Sequence, residues 1–175
     1  MISYDKIINE LSKNKSDLFK SFFLKTKYNF NLKKINNFKK FKTIIIIGMG
    51  GSILGSKGIY SFLKHKINKK FIFIDNLDQR YLFKIKKENN LKNALFLIIS
   101  KSGNTTETIV NSSFFRSFLN KKNTIIISED KDNAMYNFAK SKGAYFVRHH
   151  PNIGGRYSIF SDVGMLPAYL MGLKP

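Results

Sequence analysis

A chain of 175 residues, 43% hydrophobic and 14% aromatic, has the apolar content of one globular domain and can bury about 70% of the surface its unfolded form exposes, which argues against disorder. Its 31 lysines and arginines outnumber 11 acidic residues for a formal charge of +20. The lysines are scattered among Asn and Ile rather than gathered with aromatics into one motif, so a solvated basic surface is expected, with neither nucleic acid nor membrane as partner. The absence of cysteine excludes disulfides, a thiolate nucleophile and thiolate-held metals.

From residue 4 to 26, Ile7, Ile8, Leu11, Leu18, Phe22 and Phe23 recur near helical spacing, which predicts one or two helices packing on the rest of the chain. This beginning carries Asp5 and Glu10 and lacks the apolar core of a signal peptide, and no run reaches the ~18 apolar residues of a membrane span. A cytoplasmic protein without metal or cofactor is expected.

Four continuous apolar runs come next, Thr43 to Ile47, Phe71 to Ile74, Ala94 to Ile99 and Thr124 to Ile127, with a weaker fifth from Ala144 to Val147. Continuous runs mark strands covered on both faces. Helical segments are expected between them at Ile53 to Lys66, Gln79 to Asn89, Thr106 to Leu119 and Asn133 to Ser141. The economical architecture is a doubly wound parallel five-stranded sheet with helices on both faces, a flavodoxin-like αβα sandwich. An N-terminal helical lead-in (1–40) would precede a domain over 41–175. Ligands of such sheets bind beyond the strands' C-terminal ends, where helix N-termini open.

Three segments stand at or close behind that edge. The first, GMGGSILG (48–55), lacks the third glycine of a dinucleotide fingerprint, although Asp75 would suit a ribose contact. Its plain reading is a tight turn with Ser52 as helix cap; its functional reading is a row of exposed amides facing a small polar ligand. The second, SKSGNTTET (100–108), offers the hydroxyls of Ser100, Ser102, Thr105 and Thr108, a turn at Gly103, and a helix N-terminus. Neutral donors of this density suit a phosphate. Asn104 and Glu107 have capping-box spacing, which would leave the acid serving the helix. The third, NIGGRYS (152–158), holds Arg156 behind two glycines, where a guanidinium could offset charge developing on a substrate oxygen. A helical pattern runs on from it through Val163, Leu166 and Leu170. His149 and His150 are expected to close the fifth strand and cover the rim of the site.

Together, in this order, GMGGSILG, SKSGNTTET and GGRYSIFSDVGMLPAYLMG resemble the phosphoglucose isomerase family of the sugar isomerase (SIS) superfamily. FIDNLD (73–78) resembles its second strand and turn. The resemblance runs from about Thr43 to the end. It implies that Gly51 and Ser52 contact the sugar, that Ser100, Lys101, Ser102, Gly103, Asn104, Thr105 and Thr108 surround a 6-phosphate, and that Arg156 is the catalytic arginine. It further implies interconversion of glucose 6-phosphate and fructose 6-phosphate through an enediolate, a step of glycolysis and gluconeogenesis, without metal or nucleotide. Asn104 stands where many members have threonine, and Gly103 where some have a bulky residue. The family's glutamate base, ring-opening histidine and lysine have no counterparts before Pro175, so the chain resembles an N-terminal part, expected to bind sugar phosphate without turning it over. A SIS-type binding or regulatory module is the alternative. The family's usual dimer is expected of a full-length protein.

Overall fold

A computed structural model of the chain describes residues 3–13, 16–22 and 27–174. Five strands, β1 (Thr43–Gly48), β2 (Lys70–Ile74), β3 (Ala94–Ile99), β4 (Thr124–Ser128) and β5 (Tyr145–Arg148), form one sheet in the order β2-β1-β3-β4-β5. Every neighbouring pair is parallel. β-branched Ile and Val with Phe and Leu fill these strands because a pleated surface buried on both sides favours side chains stiff at Cβ.

Alternation along each strand divides the core in two. Ile44, Ile46, Leu95, Leu97, Ile99, Ile125 and Ile127 face one layer; Ile45, Ile47, Phe96, Ile98 and Ile126 face the other. The first layer is covered by α4 (Gly51–Leu63) and α8 (Asp162–Leu170), through Ile53, Val163, Leu166 and Leu170. The second is covered by α5 (Gln79–Glu88), α6 (Thr106–Phe114) and α7 (Ala134–Lys142), through Leu82, Ile85, Met135 and Ala139. The doubly wound αβα sandwich is therefore the observed fold, and all five strands lie where the apolar runs put them.

The beginning of the chain departs from expectation. α1 (Tyr4–Ser12) buries no residue, and Ile7, Ile8 and Leu11 are 43%, 50% and 40% exposed, so its apolar stripe does not pack on the domain. Phe23 lies outside the described residues. α2 (Asp17–Ser21) touches the fold through its C-cap Phe22, which meets Phe160 edge-to-face at 5.4 Å. α3 (Leu32–Asn36), which apolar spacing did not single out, buries Ile35 completely, and Phe30 and Phe38 join the same core layer. The carboxylate of Asp162 at the start of α8 anchors this stretch by accepting from the backbone N–H of Asn29 (2.6 Å) and Phe30 (3.1 Å).

Candidate functional site

The strand order reverses direction between β1 and β3. Loops leaving two such neighbours diverge to opposite faces and open a crevice at the C-terminal edge. Gly48, at the end of β1, pairs with Ile99, at the end of β3. GMGGSILG and SKSGNTTET therefore emerge side by side at that crevice.

The SKSGNTTET loop is built by its own side chains. Ser100, 1% exposed, continues β3 by donating its N–H to the Ile127 carbonyl (3.0 Å). Its Oγ accepts from the N–H of Gly103 (3.2 Å) and shares a hydrogen bond with Thr105 Oγ1 (3.0 Å). Gly103 takes φ +72°, and a Cβ there would fall 1.8 Å from Asn133 Oδ1, so this turn requires glycine. The far flank of the loop is fastened to α7: the N–H of Met135 donates to the Gly103 carbonyl (3.0 Å), and the N–H of Ala134 donates to Asn104 Oδ1 (2.9 Å).

That last bond corrects the capping-box expectation. The residue before α6 is Thr105, not Asn104, and Asn104 instead accepts from the first amide of α7, whose N-cap is Asn133. Thr105 turns its hydroxyl toward Ser100 and Ser102 and makes no side-chain bond to the first turn of α6. The first-turn amides of α6 thus point outward with partial positive charge and no side-chain cap. Thr108 lies one turn in, 1% exposed, its Oγ1 buried without a hydrogen-bond partner among the described residues.

Ser52 is not a cap either: α4 begins at Gly51, and its N-cap is Gly50, at φ +55°. Gly51 instead abuts the third segment. A Cβ on Gly51 would sit 2.2 Å from the Gly155 carbonyl oxygen and 2.6 Å from the Arg156 nitrogen. Ser158 holds the same turn by donating to the Gly155 carbonyl (2.6 Å). The bare backbone of α4 is therefore the floor on which the Arg156 turn rests. Arg156 is exposed, begins the short 3-10 stretch Gly155–Phe160 with its neighbour, and among the described residues has no carboxylate within ion-pair distance.

Lys101 is directed differently from the other loop residues. Its ammonium donates to the carbonyls of Pro151 (2.7 Å) and Ile153 (3.0 Å). Asp75 forms an ion pair with Lys57 at 2.7 Å, which engages the carboxylate that a ribose would need. His149 is 1% exposed just past β5, its backbone N–H donating to the Ser128 carbonyl (2.7 Å), and burial above all holds its pKa below the ordinary value. His150 approaches Asp17 at 3.8 Å, and Asp17 also accepts from Asn152 Nδ2 (2.6 Å). Asp17 and Asn133, neither of them in the quoted motifs, thus brace the site from elements distant in sequence. Of the two, Asn133 alone had a readable signal, an Asn at the N-cap position of the segment expected to be helical from Asn133 to Ser141.

Among the described residues no three His, Asp or Glu side chains group so as to hold a metal ion. No helix among them is long and apolar enough to cross a membrane. Two concavities of about 690 and 590 Å3 lie at the opposite, N-terminal edge of the strands, lined by Lys34, Lys40, Lys42, Lys92, Lys121 and Lys122 together with other residues.

A parallel sheet in this order, with a hydroxyl-lined loop and an uncapped helix at its switch point, defines a doubly wound α/β protein that holds its ligand beyond the strands' C-terminal ends. The phosphoglucose isomerase family model matches residues 13–174, and the chain belongs to that family. It is 33% identical over 149 residues to the glucose-6-phosphate isomerase of Methanocaldococcus jannaschii, covering 83% of this chain and 37% of the relative. It is 36% identical over 179 residues to that of Borreliella burgdorferi, covering 91% of this chain and 33% of the relative. The crystal structure of a glucose-6-phosphate isomerase from Chlamydia trachomatis superposes with a TM-score of 0.70 at 24% identity, over 98% of this chain and 32% of that one. The chain spans about a third of the length of the curated relatives it matches.

Proposed function

We propose that this chain carries the ester-binding part of an aldose-ketose isomerase that interconverts glucose 6-phosphate and fructose 6-phosphate. The reading rests on one observation above all: the first turn of α6 is uncapped and ringed by the hydroxyls of Ser100, Ser102 and Thr105. Amides at a helix N-terminus and neutral hydroxyls can donate to a dianion without a permanent counter-charge, so the ester is held yet can leave. Gly103 keeps the turn tight, and Thr108 offers its unpartnered hydroxyl beneath it. Asn104, with Oδ1 given to α7, has its amide N–H groups left for a ligand.

In this reading Gly51 and Ser52 approach the sugar from α4, and Arg156, standing on Gly51, faces the carbons between which a proton moves. Its fixed positive charge stabilises the enediolate more than either sugar, and only such differential stabilisation speeds the step. Residues 41–175 are the sugar-phosphate-binding unit and 1–40 its lead-in. Titration calorimetry with glucose 6-phosphate tests the site directly. Replacing Ser100 and Thr105 together by alanine should weaken binding at least about tenfold, since each hydroxyl bond to a charged group contributes about 1.5–3 kcal/mol. Undiminished binding heat in the double variant would remove the loop from the site.

A further inference from the structure

A lysine in an ester-binding loop would ordinarily be assigned to the ester, but Lys101 has little left to give it. An ammonium carries three donors and no acceptor. Two are placed on the Pro151 and Ile153 carbonyls at 2.7 and 3.0 Å, and Glu129 Oε1 lies 3.9 Å from the same nitrogen. The side chain is 29% exposed. Its own backbone is fixed as well, because the Lys101 carbonyl accepts from the N–H of Glu129 (3.1 Å).

What Lys101 holds is the approach to Arg156. Ile153 is buried; Gly154 and Gly155 come next, then the arginine. Nothing lies within 4 Å of the position a Gly155 Cβ would take, so this hinge is free on that side. Among the described residues, these two bonds are the side-chain hydrogen bonds that join the 100–105 loop to the 151–156 turn. With Gly51 beneath the turn, the supports of Arg156 include a backbone floor from α4 and an ammonium strap from the ester loop, beside the Ser158–Gly155 and Asn152–Asp17 bonds.

We propose that Lys101 is a positioning residue rather than an ester ligand, strapping the Arg156 turn to the ester-binding loop so that an anion in the loop is felt at the arginine. This rests on the reading of the 100–105 loop as the ester site. A step through it is mechanical and short. Donors drawn toward an anion shift the loop backbone, and the two carbonyls move with Lys101.

The test compares the 175-residue chain with its Lys101→Met and Lys101→Arg variants; Lys101→Gln replaces the first if it does not fold. Hydrogen exchange at the Arg156 and Tyr157 amides is measured without ligand. Inorganic phosphate is then titrated while the Nε–Hε resonance of Arg156 is followed. Loss of the strap should raise exchange at those amides by about tenfold, the equivalent of one charge-assisted bond. Phosphate affinity should change less than about threefold, since no ester donor is removed. The phosphate-induced shift of Arg156 should vanish with methionine and return with arginine. Unchanged exchange in Lys101→Met overturns the proposal. So does a loss of phosphate affinity of about tenfold or more, whatever the exchange does, because that makes Lys101 an ester ligand. A wild-type chain that binds no phosphate sinks the ester-loop reading alone, and the exchange data still decide the strap.

Discussion

Two glycines in one helix should respond to the same substitution with opposite signs. A methyl group on Gly51 would lie 2.2 Å from the Gly155 carbonyl oxygen, and both partners at that contact are backbone. Reaching ordinary contact at 3.4 Å requires about 1.2 Å of separation between α4 and the Arg156 turn. Overpacking of this kind costs about 1–3 kcal/mol, against a helix-propensity gain of up to ~1 kcal/mol for alanine over glycine. Gly51→Ala should therefore lose about 1–2 kcal/mol net, which for a domain of this size lowers Tm by roughly 2–8 °C. Gly58, further along α4, is exposed with nothing within 4 Å of its Cβ position. Gly58→Ala should gain about 0.5–1 kcal/mol and raise Tm by a few degrees. Calorimetric melts of the two variants beside the wild type measure both effects. If Gly51→Ala melted at or above the wild-type temperature, the close seating of the Arg156 turn on α4 would be wrong, and with it the joining of the first and third segments into one site.

Asp162 should matter for the chain's beginning. Asp162→Ala strands two backbone donors, Asn29 and Phe30, and should cost about 2–4 kcal/mol in urea unfolding, whereas Asp162→Asn, which keeps an acceptor and sheds a buried charge, should cost less than half of that. His149 sets a pH window: its folded pKa lies below 6.5, chiefly through burial, so below pH 6.5 the unfolded chain binds the proton first. Stability should fall as pH drops below 6.5 through the depressed folded value, and His149→Gln should flatten that part of the curve. Asp162, whose carboxyl burial pushes up from 3.8, acts in the opposite direction, so the difference between variant and wild type, not the wild-type curve alone, isolates the histidine.

The strands were legible because burial on both faces leaves a continuous apolar run, and Ala94 to Ile99 matches β3 to the residue. The fold also brings SKSGNTTET and GMGGSILG together, as adjacency of β1 and β3 demands. What failed were assignments of single polar side chains. Asn104 and Glu107 have the spacing of a capping box, but the partner that Asn104 meets is 30 residues away, at the start of α7. Local spacing cannot rank a sequence neighbour against one brought by tertiary structure. The stripe of α1 failed for the complementary reason, since amphipathic spacing shows that a face could be buried without supplying anything to cover it. α3, only five residues long, is too short for its period to be read.

The large positive charge takes on a different meaning once the carboxylates are located. Three of those after β2 and β4 at the site edge are paired: Asp75 with Lys57 (2.7 Å), Glu129 with Lys131 (2.5 Å) and Asp130 with Arg148 (3.0 Å). Such partly exposed pairs contribute little to stability, yet each removes a net negative charge from the approach to the crevice. Arg156 stands among them without a carboxylate partner among the described residues. An arriving dianion therefore meets fewer uncompensated carboxylates there, an uncapped helix N-terminus and the Arg156 guanidinium. Specificity for position then comes from donors fixed in the loop, and the diffuse lysine charge elsewhere acts only on the encounter, where salt screens it.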